Sequence, residues 1–168
     1  NAGEFPGTIE LNTAEDLVGA AVLEMTGAAG ADRIQVEIDY AAPVLIGMFD
    51  FVESLRILVN LLDNALVYSP ANESVDLSAT RIGDWLQISV ADRGPGVPKA
   101  DSERVFEPFY RHMSTANSVH GTGLGLAIAR SLAEAQGGQL IYSERSGGGS
   151  VFTLRLRAVG ASELALDE

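Results

Sequence analysis

The sequence predicts an α/β sandwich, in which a largely antiparallel sheet carries helices on one face. An apolar stripe of helical period runs through residues 55–70, which predicts one central helix. Segments in which apolar and polar residues alternate, typical of half-buried strands, lie on both sides of that helix. Short glycine turns join the later segments in pairs, which predicts antiparallel hairpins and hence a mostly antiparallel sheet.

Composition narrows the class of protein. The chain has 168 residues, of which 46% are hydrophobic and 20% charged, so one globular domain with its own core is expected. The net charge of -12 argues against a broad nucleic-acid surface, and we expect no nucleic-acid partner. Cysteine is absent, which excludes a disulfide framework and a thiol nucleophile. No apolar run has the length of a membrane span, so direct membrane contact by this domain is not expected.

The first half of the chain is predicted to contribute strands at residues 8–11 and 33–40, with a further short candidate at 42–48. Asn12 or Thr13 is suited to cap a helix that runs to about Met25. Asp50 is suited to cap the central helix, which is expected to end near Tyr68, Ser69 and Pro70. On that helix, Leu55, Leu58, Val59, Leu62, Ala65 and Leu66 are predicted to face the core.

The second half is predicted to contain two hairpins, formed by strands 74–81 with 85–91 and 139–143 with 150–157. Between them, residues 99–120 lack sustained periodicity, and long irregular segments in compact domains are usually functional, often as a lid. Residues 121–138 form a glycine-rich turn that enters a helix. We expect a domain over residues 8–158, with residues 1–7 as a linker or expression remnant and 159–168 as an acidic tail.

The central helix also carries two asparagines, Asn60 and Asn64, on the side opposite its apolar stripe. Asparagine is a poor helix former and rarely occupies a mostly apolar helix without a partner. Two stacked amide carbonyls can ligate a hard cation such as Mg²⁺. They can equally be amides that tie down a neighbouring loop, and the helix alone leaves both interpretations open.

Three further features suit a nucleotide. Glycines 121, 123 and 125 open a helix, and its free N–H groups and positive dipole end suit phosphate, although a plain tight turn has the same signature. Asp92 ends a strand, where its carboxylate can accept from an exocyclic amine such as that of adenine, or form an Asx turn. Arg111 can reach a phosphate or remain a solvated surface residue.

In order and spacing, four motifs resemble those of the catalytic and ATP-binding domain of sensor histidine kinases, within the superfamily of gyrase, Hsp90, histidine kinases and MutL. NLLDNALVYSP resembles the N box, DRGPGVP the first glycine box, FEPFYR the F box and GTGLGLAIA the second glycine box. The resemblance spans roughly residues 8–157. It implies the histidine-kinase ATPase (Bergerat) fold, a two-layer α/β sandwich with about three helices and a flexible ATP lid.

The resemblance also implies roles for residues. Asn64 would hold Mg²⁺ and the triphosphate with Asn60 beside it, Asp92 would contact the adenine amine, and Arg111 would reach the phosphates. Asn60, Asn64 and Arg111 are thereby the expected catalytic residues. The expected ATP site as a whole consists of Asn60, Asn64, Tyr68, Asp92, Gly94, Gly96, Arg111, Gly121, Thr122, Gly123, Leu124 and Gly125. The aromatic residues Phe106, Phe109 and Tyr110 would anchor the lid, or form an ordinary aromatic patch.

The activity implied is transfer of the γ-phosphate of ATP to a histidine on a dimerisation domain, and from there to an aspartate of a response regulator receiver domain. The full-length protein would be a homodimeric, membrane-anchored sensor, with this domain in the cytoplasm. Where ATPase branches of the superfamily carry a water-activating glutamate, this chain has Asn60, which favours a kinase.

Two features limit the resemblance. Val67 stands where many members carry a basic residue, which keeps open a nucleotide-binding pseudokinase or interaction module. A stand-alone ATPase or a serine-directed relative of the superfamily is a third possibility, against which Asn60 argues. The two histidines, His112 and His120, lie in the expected lid and are interpreted as solvated, so the acceptor histidine is expected on another domain.

Overall fold

The computed structural model describes residues 7–41, 44–108, 110 and 125–160. These residues form a seven-stranded sheet and three α-helices. In chain order the elements are β1 (Ile9–Thr13), α1 (Ala14–Glu24), β2 (Ile34–Ile38), β3 (Ile46–Asp50), α2 (Phe51–Tyr68), β4 (Val75–Ile82), β5 (Trp85–Ala91), α3 (Gly125–Ala135), β6 (Gln139–Glu144) and β7 (Ser150–Ala158).

The sheet has the strand order β1-β3-β7-β5-β4-β2, and β6 pairs with β7. One pairing, β2 with β4, is parallel, and the other five are antiparallel. The predicted mixed, mostly antiparallel α/β sandwich is therefore confirmed. Both predicted hairpins are present, and Gly83 takes a φ of 61° in the turn between β4 and β5.

Local signals placed the helix starts correctly. The Thr13 hydroxyl accepts from the N–H of Asp16 at 3.1 Å and caps α1. Asp50 caps α2, since its Oδ1 accepts from the N–H of Glu53 at 2.8 Å. The candidate strand at 42–48 is displaced to Ile46–Asp50, so that β3 runs directly into α2, while residues 42 and 43 lie outside the described residues.

The core lies between the sheet and the helices, with α2 at its centre. The buried stripe of α2 differs from the predicted one, because Ile57 and Leu61 are fully buried while Leu55 and Val59 are half-buried. The stripe turns this way because α1 and α3 also pack on α2. Over the described ranges, no helix combines the length and apolar character that a membrane span requires.

Candidate functional site

One end of the candidate site lies where α2 meets the start of α3. The side-chain amide of Asn60 donates to the carbonyl of Gly125, the first residue of α3, at 3.0 Å. A Cβ on Gly125 would lie 2.9 Å from both Oδ1 and Nδ2 of Asn60, so a larger residue there would force the Asn60 side chain to shift. Asn60 thus ties down the neighbouring segment, as one of the two interpretations expected, and its Oδ1 stays available as an acceptor.

Asn64 lies one turn further along the same side of α2. Its side chain is half-buried, and the part of the chain that the structure describes offers it no hydrogen-bond partner. An amide without a partner among the described residues is free to bind a ligand, because its oxygen can accept and its N–H groups can donate. Val67 completes this side of the helix and is 37% exposed.

Asp92 forms the other end of the site, directly after β5. It is 4% exposed, and its Oδ1 accepts from the N–H groups of Gly94 at 2.8 Å and Ser150 at 3.3 Å. The first of these bonds is an Asx turn, the more ordinary of the two interpretations. Within the described ranges, both hydrogen bonds to the carboxylate go to Oδ1, so the Asx turn and a ligand contact through Oδ2 are compatible.

Burial raises the pKa of the Asp92 carboxyl above its ordinary value. The hydrogen bonds from Gly94 and Ser150 and the positive charge of Arg145 act in the opposite direction and offset part of this effect. A buried carboxylate that contacts no cation among the described residues is a costly feature for a fold, and such groups concentrate at functional sites.

The loop after Asp92 packs against the C-terminal end of α2. A Cβ on Gly94 would lie 2.6 Å from the carbonyl oxygen of Tyr68, and the Ser69 hydroxyl accepts from the N–H of Arg93 at 3.3 Å. Gly96 takes a φ of 73° and faces the carbonyl of Gly149. In this structure the two glycines permit close approach of backbone to backbone, a more specific requirement than an open pocket wall.

Phe106 and Tyr110 attach the segment after this loop, residues 99–108 and 110, to the rest of the domain. Phe106 is buried edge-to-face against Phe152, with ring centroids 6.0 Å apart, and the Arg130 guanidinium of α3 lies 5.1 Å from its ring centre. The Tyr110 hydroxyl donates to Asp101 at 3.3 Å, and burial, followed by the Asp101 charge, raises the tyrosine pKa. The packing role expected for these two rings is thus present, while Phe109 lies outside the described residues.

Helix α2 brings the two ends of the site together, because Asn60 and Asn64 lie on it and Tyr68 ends it beside the Asp92 loop. From Asn60 to Tyr68 the helix rises by about 12 Å. The described site residues are Asn60, Asn64, Tyr68, Asp92, Gly94, Gly96 and Gly125. The expected site residues that lie outside the described ranges are Arg111, Gly121, Thr122, Gly123 and Leu124.

Sequence reasoning missed the residues that hold Asp92 from a distance. Ser150 donates to its carboxylate, and the Tyr142 hydroxyl accepts from the N–H of Val97 at 3.2 Å. Each contact joins residues more than forty positions apart. Nothing in local spacing signals such contacts, which depend on how β6 and β7 pair with the rest of the sheet.

The oxygen donors of the site fit a metal ion that is held mainly by its nucleotide and by water, with only one or two protein ligands. Asn60 and Asn64 supply amide oxygens, and the described ranges contain no group of three or more histidine, aspartate or glutamate side chains that could hold a metal. Mg²⁺ at nucleotide sites is typically held by one or two protein groups, with phosphate oxygens and water completing its shell. The residues present fit that arrangement, and an all-protein metal cage is not found within those ranges.

The fold and these residues define a nucleotide-binding domain of the histidine-kinase ATPase class. Residues 50–160 match the family described as histidine kinase-, DNA gyrase B-, and HSP90-like ATPase. The chain belongs to this family, and the recognition from the four motifs is confirmed.

Individual relatives agree. The sensor protein KdpD of Mycobacterium tuberculosis is 38% identical over 130 residues, which cover 77% of this chain and 14% of KdpD. The mycobacterial sensor histidine kinase MprB superposes with a TM-score of 0.73 at 25% identity, over 89% of this chain and 97% of that structure. Full-length ShkA in complex with AMPPNP superposes with a TM-score of 0.75 at 28% identity, over 94% of this chain and 33% of the ShkA chain. The chain therefore corresponds to an ATP-binding domain of the type carried by two-component sensor kinases, and spans only a small part of KdpD.

Proposed function

We propose that this domain binds Mg-ATP in the site between Asn60 and Asp92 and donates the γ-phosphate to a histidine on a separate domain. The observation that carries the proposal is Asn64, a half-buried residue of α2 whose side chain has no hydrogen-bond partner among the described residues and which lies between Asn60 and Tyr68 along the helix. The family membership supports ATP as the ligand.

The residues act by holding and orienting the nucleotide. Asp92 accepts from the exocyclic amine of adenine, Tyr68 lies along the nucleotide, and Gly94 and Gly96 set the loop beside the base. The amide oxygens of Asn64 and Asn60 would hold the metal and the triphosphate. Arg111 and the segment 121–125 complete the phosphate end. Mg²⁺, when bound, neutralises the charge that develops on the transferred phosphoryl group.

The amide at position 60, where a carboxylate could serve as a general base, bears on what accepts the phosphate. Water attack needs a general base, and position 60 supplies an amide, which has no basic group. Positioning and charge neutralisation are sufficient for transfer to a protein nucleophile that is itself basic, such as histidine.

The proposed partners are a dimerisation domain that carries the acceptor histidine and the receiver domain of a response regulator. The similarity to sensor proteins supports both, and it supports a homodimeric, membrane-anchored whole protein with this domain in the cytoplasm. The division into a domain over 8–158, a linker over 1–7 and a tail over 159–168 stays a prediction.

One observation favours a second candidate. Val67 is exposed on the side of α2 that carries Asn60 and Asn64, where a basic side chain would add a phosphate contact. A domain that binds ATP and never transfers its phosphate would be a pseudokinase or an interaction module. Phosphate transfer to a supplied dimerisation domain separates the two candidates.

The test is a calorimetric titration with ATP, with and without Mg²⁺, on the chain and on Asn64→Ala. We expect saturable binding that strengthens with Mg²⁺ and weakens at least about ten-fold in the variant, since a ligand-holding group is lost. Val52→Ala is the matched control, because Val52 lies on the same helix, is 66% exposed and is remote from Asn64.

Two results would contradict the proposal. A well-folded wild-type domain that binds no ATP would remove the nucleotide site altogether. Binding that Asn64→Ala and Val52→Ala leave equally intact would show that the nucleotide does not use this side of α2.

A further inference from the structure

The turn between β6 and β7, residues 145–149, is built against the backbone of Asp92. A Cβ on Gly149 would lie 2.0 Å from the Asp92 carbonyl oxygen, and Gly149 takes a φ of 117°. The Arg93 guanidinium donates to the carbonyls of Ser146 at 2.9 Å and Gly148 at 3.2 Å. The turn and the Asp92 loop therefore form one unit, and the position of one fixes the position of the other.

Arg145, the first residue of this turn, is joined by an ion pair to Asp76 near the start of β4. Strands β5 and β7 separate β4 from β6 in the sheet, and Asp76 pairs in register with Ala91, the neighbour of Asp92. The ion pair thus lies across the strand ends beside Asp92, at the end of the sheet where β4 begins and β5 finishes. The Arg145 side chain is only 16% exposed, so solvent screens it weakly.

The Arg145 guanidinium is only partly hydrogen-bonded in this pair. Its Nη2 contacts Asp76, whereas its Nη1 is buried and has no hydrogen-bond partner in the part of the chain that is described. The charged or titratable side chains on the described elements around Asp92 are Arg93 and Lys99 on its own loop, Tyr68 on α2, Asp76 on β4, Tyr142 and Glu144 on β6, and Arg145 in the turn. Of these, Arg145 is the one whose charge lowers the pKa of Asp92.

We propose that Arg145 is a positioning residue of the nucleotide site, which holds the Asp92 loop in place and keeps the Asp92 carboxylate anionic as the acceptor for a base amine. This inference rests on the proposed binding of ATP. It adds a residue that lies outside the four motifs, in the turn of the final hairpin, and that acts through Asp92 without touching the nucleotide.

The consequence is a preference between bases that depends on pH. An ionised carboxylate accepts from the amine of adenine and repels the keto oxygen that hypoxanthine carries at the same position. A protonated carboxyl loses this preference. The ratio of ITP to ATP dissociation constants should therefore fall as the pH is lowered through the pKa of Asp92, while phosphate protonation, common to both nucleotides, cancels in the ratio.

The experiment measures both dissociation constants between about pH 5 and about pH 8. In Arg145→Gln we expect ATP to bind roughly ten-fold more weakly at neutral pH, the scale on which loss of a supporting partner acts. We also expect the fall in the ratio of ITP to ATP dissociation constants to begin at higher pH in Arg145→Gln. Arg145→Lys should return both the ATP affinity and the pH of the fall most of the way to their wild-type values. Arg157→Gln, on the same hairpin but stacked on Trp85, is the control that should leave the ratio and its pH profile unchanged.

Asp76→Asn separates charge from scaffolding, and remains informative if Arg145→Gln does not fold. If the charge acts on Asp92, removing the competing anion should move the fall to lower pH. If the ion pair is only a structural strap, Asp76→Asn should weaken ATP and ITP alike without moving the profile, which overturns the inference.

The remaining outcomes are equally decisive. A wild-type profile that Arg145→Gln leaves in place, in a folded variant that still binds ATP, also overturns the inference while the proposed function stands. Absence of ATP binding by the wild-type domain overturns the proposed function itself, and the two failures are thus distinguishable.

Discussion

The buried carboxylate of Asp92 should weaken the folded state whenever it is ionised. Because burial raises its pKa, the folded protein binds this proton more tightly than the unfolded chain does. The contribution of Asp92 to the free energy of unfolding is therefore highest below the unfolded-state pKa and declines as the pH rises through the folded-state pKa. We expect Asp92→Asn to unfold at higher urea concentration than the wild type at neutral pH while losing ATP affinity.

The difference between Asp92→Asn and the wild type should shrink as the pH is lowered, because the wild-type carboxyl then becomes neutral too. Asp84→Asn, at an exposed turn position, is the matched control for the same change of side chain. Equal stability of Asp92→Asn and wild type at every pH would contradict a buried charge at this position.

Substitution by alanine should have opposite effects on stability at Gly94 and at Gly19. A Cβ at Gly94 would collide with backbone, the carbonyl of Tyr68 at 2.6 Å, so Gly94→Ala should cost about 1–3 kcal/mol. Gly19 lies in α1 with no atom within 4 Å of the added Cβ, so Gly19→Ala should stabilise by about 0.5–1 kcal/mol. Urea unfolding of both variants decides this, and a neutral Gly94→Ala would mean that the loop moves freely away from α2.

Helices α2 and α3 are locked together by one buried side chain, Gln136, just after α3. Its Oε1 accepts from the N–H of Asp50 at 2.8 Å, and its Nε2 donates to the Ser54 hydroxyl at 3.0 Å. Both partners are buried at the start of α2. Gln136→Ala should therefore cost about 1–3 kcal/mol for each group left without a partner, measured by urea unfolding.

The control for Gln136 is Gln139→Ala, which removes an exposed glutamine and should change stability by less than about 0.5 kcal/mol. If the two variants were equally stable, the buried bridge would be energetically irrelevant. A loss of stability confined to Gln136→Ala would show that contacts with α2 hold the C-terminal end of α3. Helix α3 would then be attached to α2 at both of its ends, through Asn60 at its start and Gln136 at its end.

The elements that the sequence predicted well are those with local causes. The Asp50 cap, the Gly83 hairpin and the Asx turn at Asp92 each depend on residues within three positions of one another, and all three are present. The Gln136 bridge joins residues more than eighty positions apart, and no periodicity signals it. Core assignment on α2 was partly wrong for the same reason, because the flanking helices decide which side is buried.

Across the molecule, the sequence predicted the sheet as mostly antiparallel, because two hairpins are visible locally. The parallel pairing of β2 with β4 and the central position of β7 follow only from long-range packing. Asn60, Asn64 and Asp92 could likewise be named from the motifs, and their role in holding a nucleotide stays a prediction. The contact of Ser150 with Asp92 and the ion pair of Arg145 with Asp76 could not be foreseen, since Arg145 and Ser150 belong to a hairpin that carries none of the four motifs.

The net charge of -12 should slow the encounter with ATP, which is itself an anion. A chain of this length has a radius of gyration of about 15 Å. The Debye length is about 30 Å at 0.01 M salt and about 8 Å at 0.15 M, so the whole charge acts on an approaching nucleotide only at low salt. We therefore expect the association rate constant of a fluorescent ATP analogue, measured by stopped flow, to increase with NaCl, and more so without Mg²⁺ than with it.

Two exposed glutamates that are not among the candidate site residues allow the cause to be isolated. Glu24→Lys and Glu37→Lys each change the charge by two units, so together they bring the net charge from -12 to -8. The double variant should associate faster than the wild type at low salt and at the same rate at 0.15 M, where the Debye length of about 8 Å screens both positions. An association rate that falls with added salt would mean that local positive charge at the phosphate end outweighs the field of the whole domain. Arg111 would then be the residue to replace first, since it is the positively charged residue that the resemblance places at the phosphates.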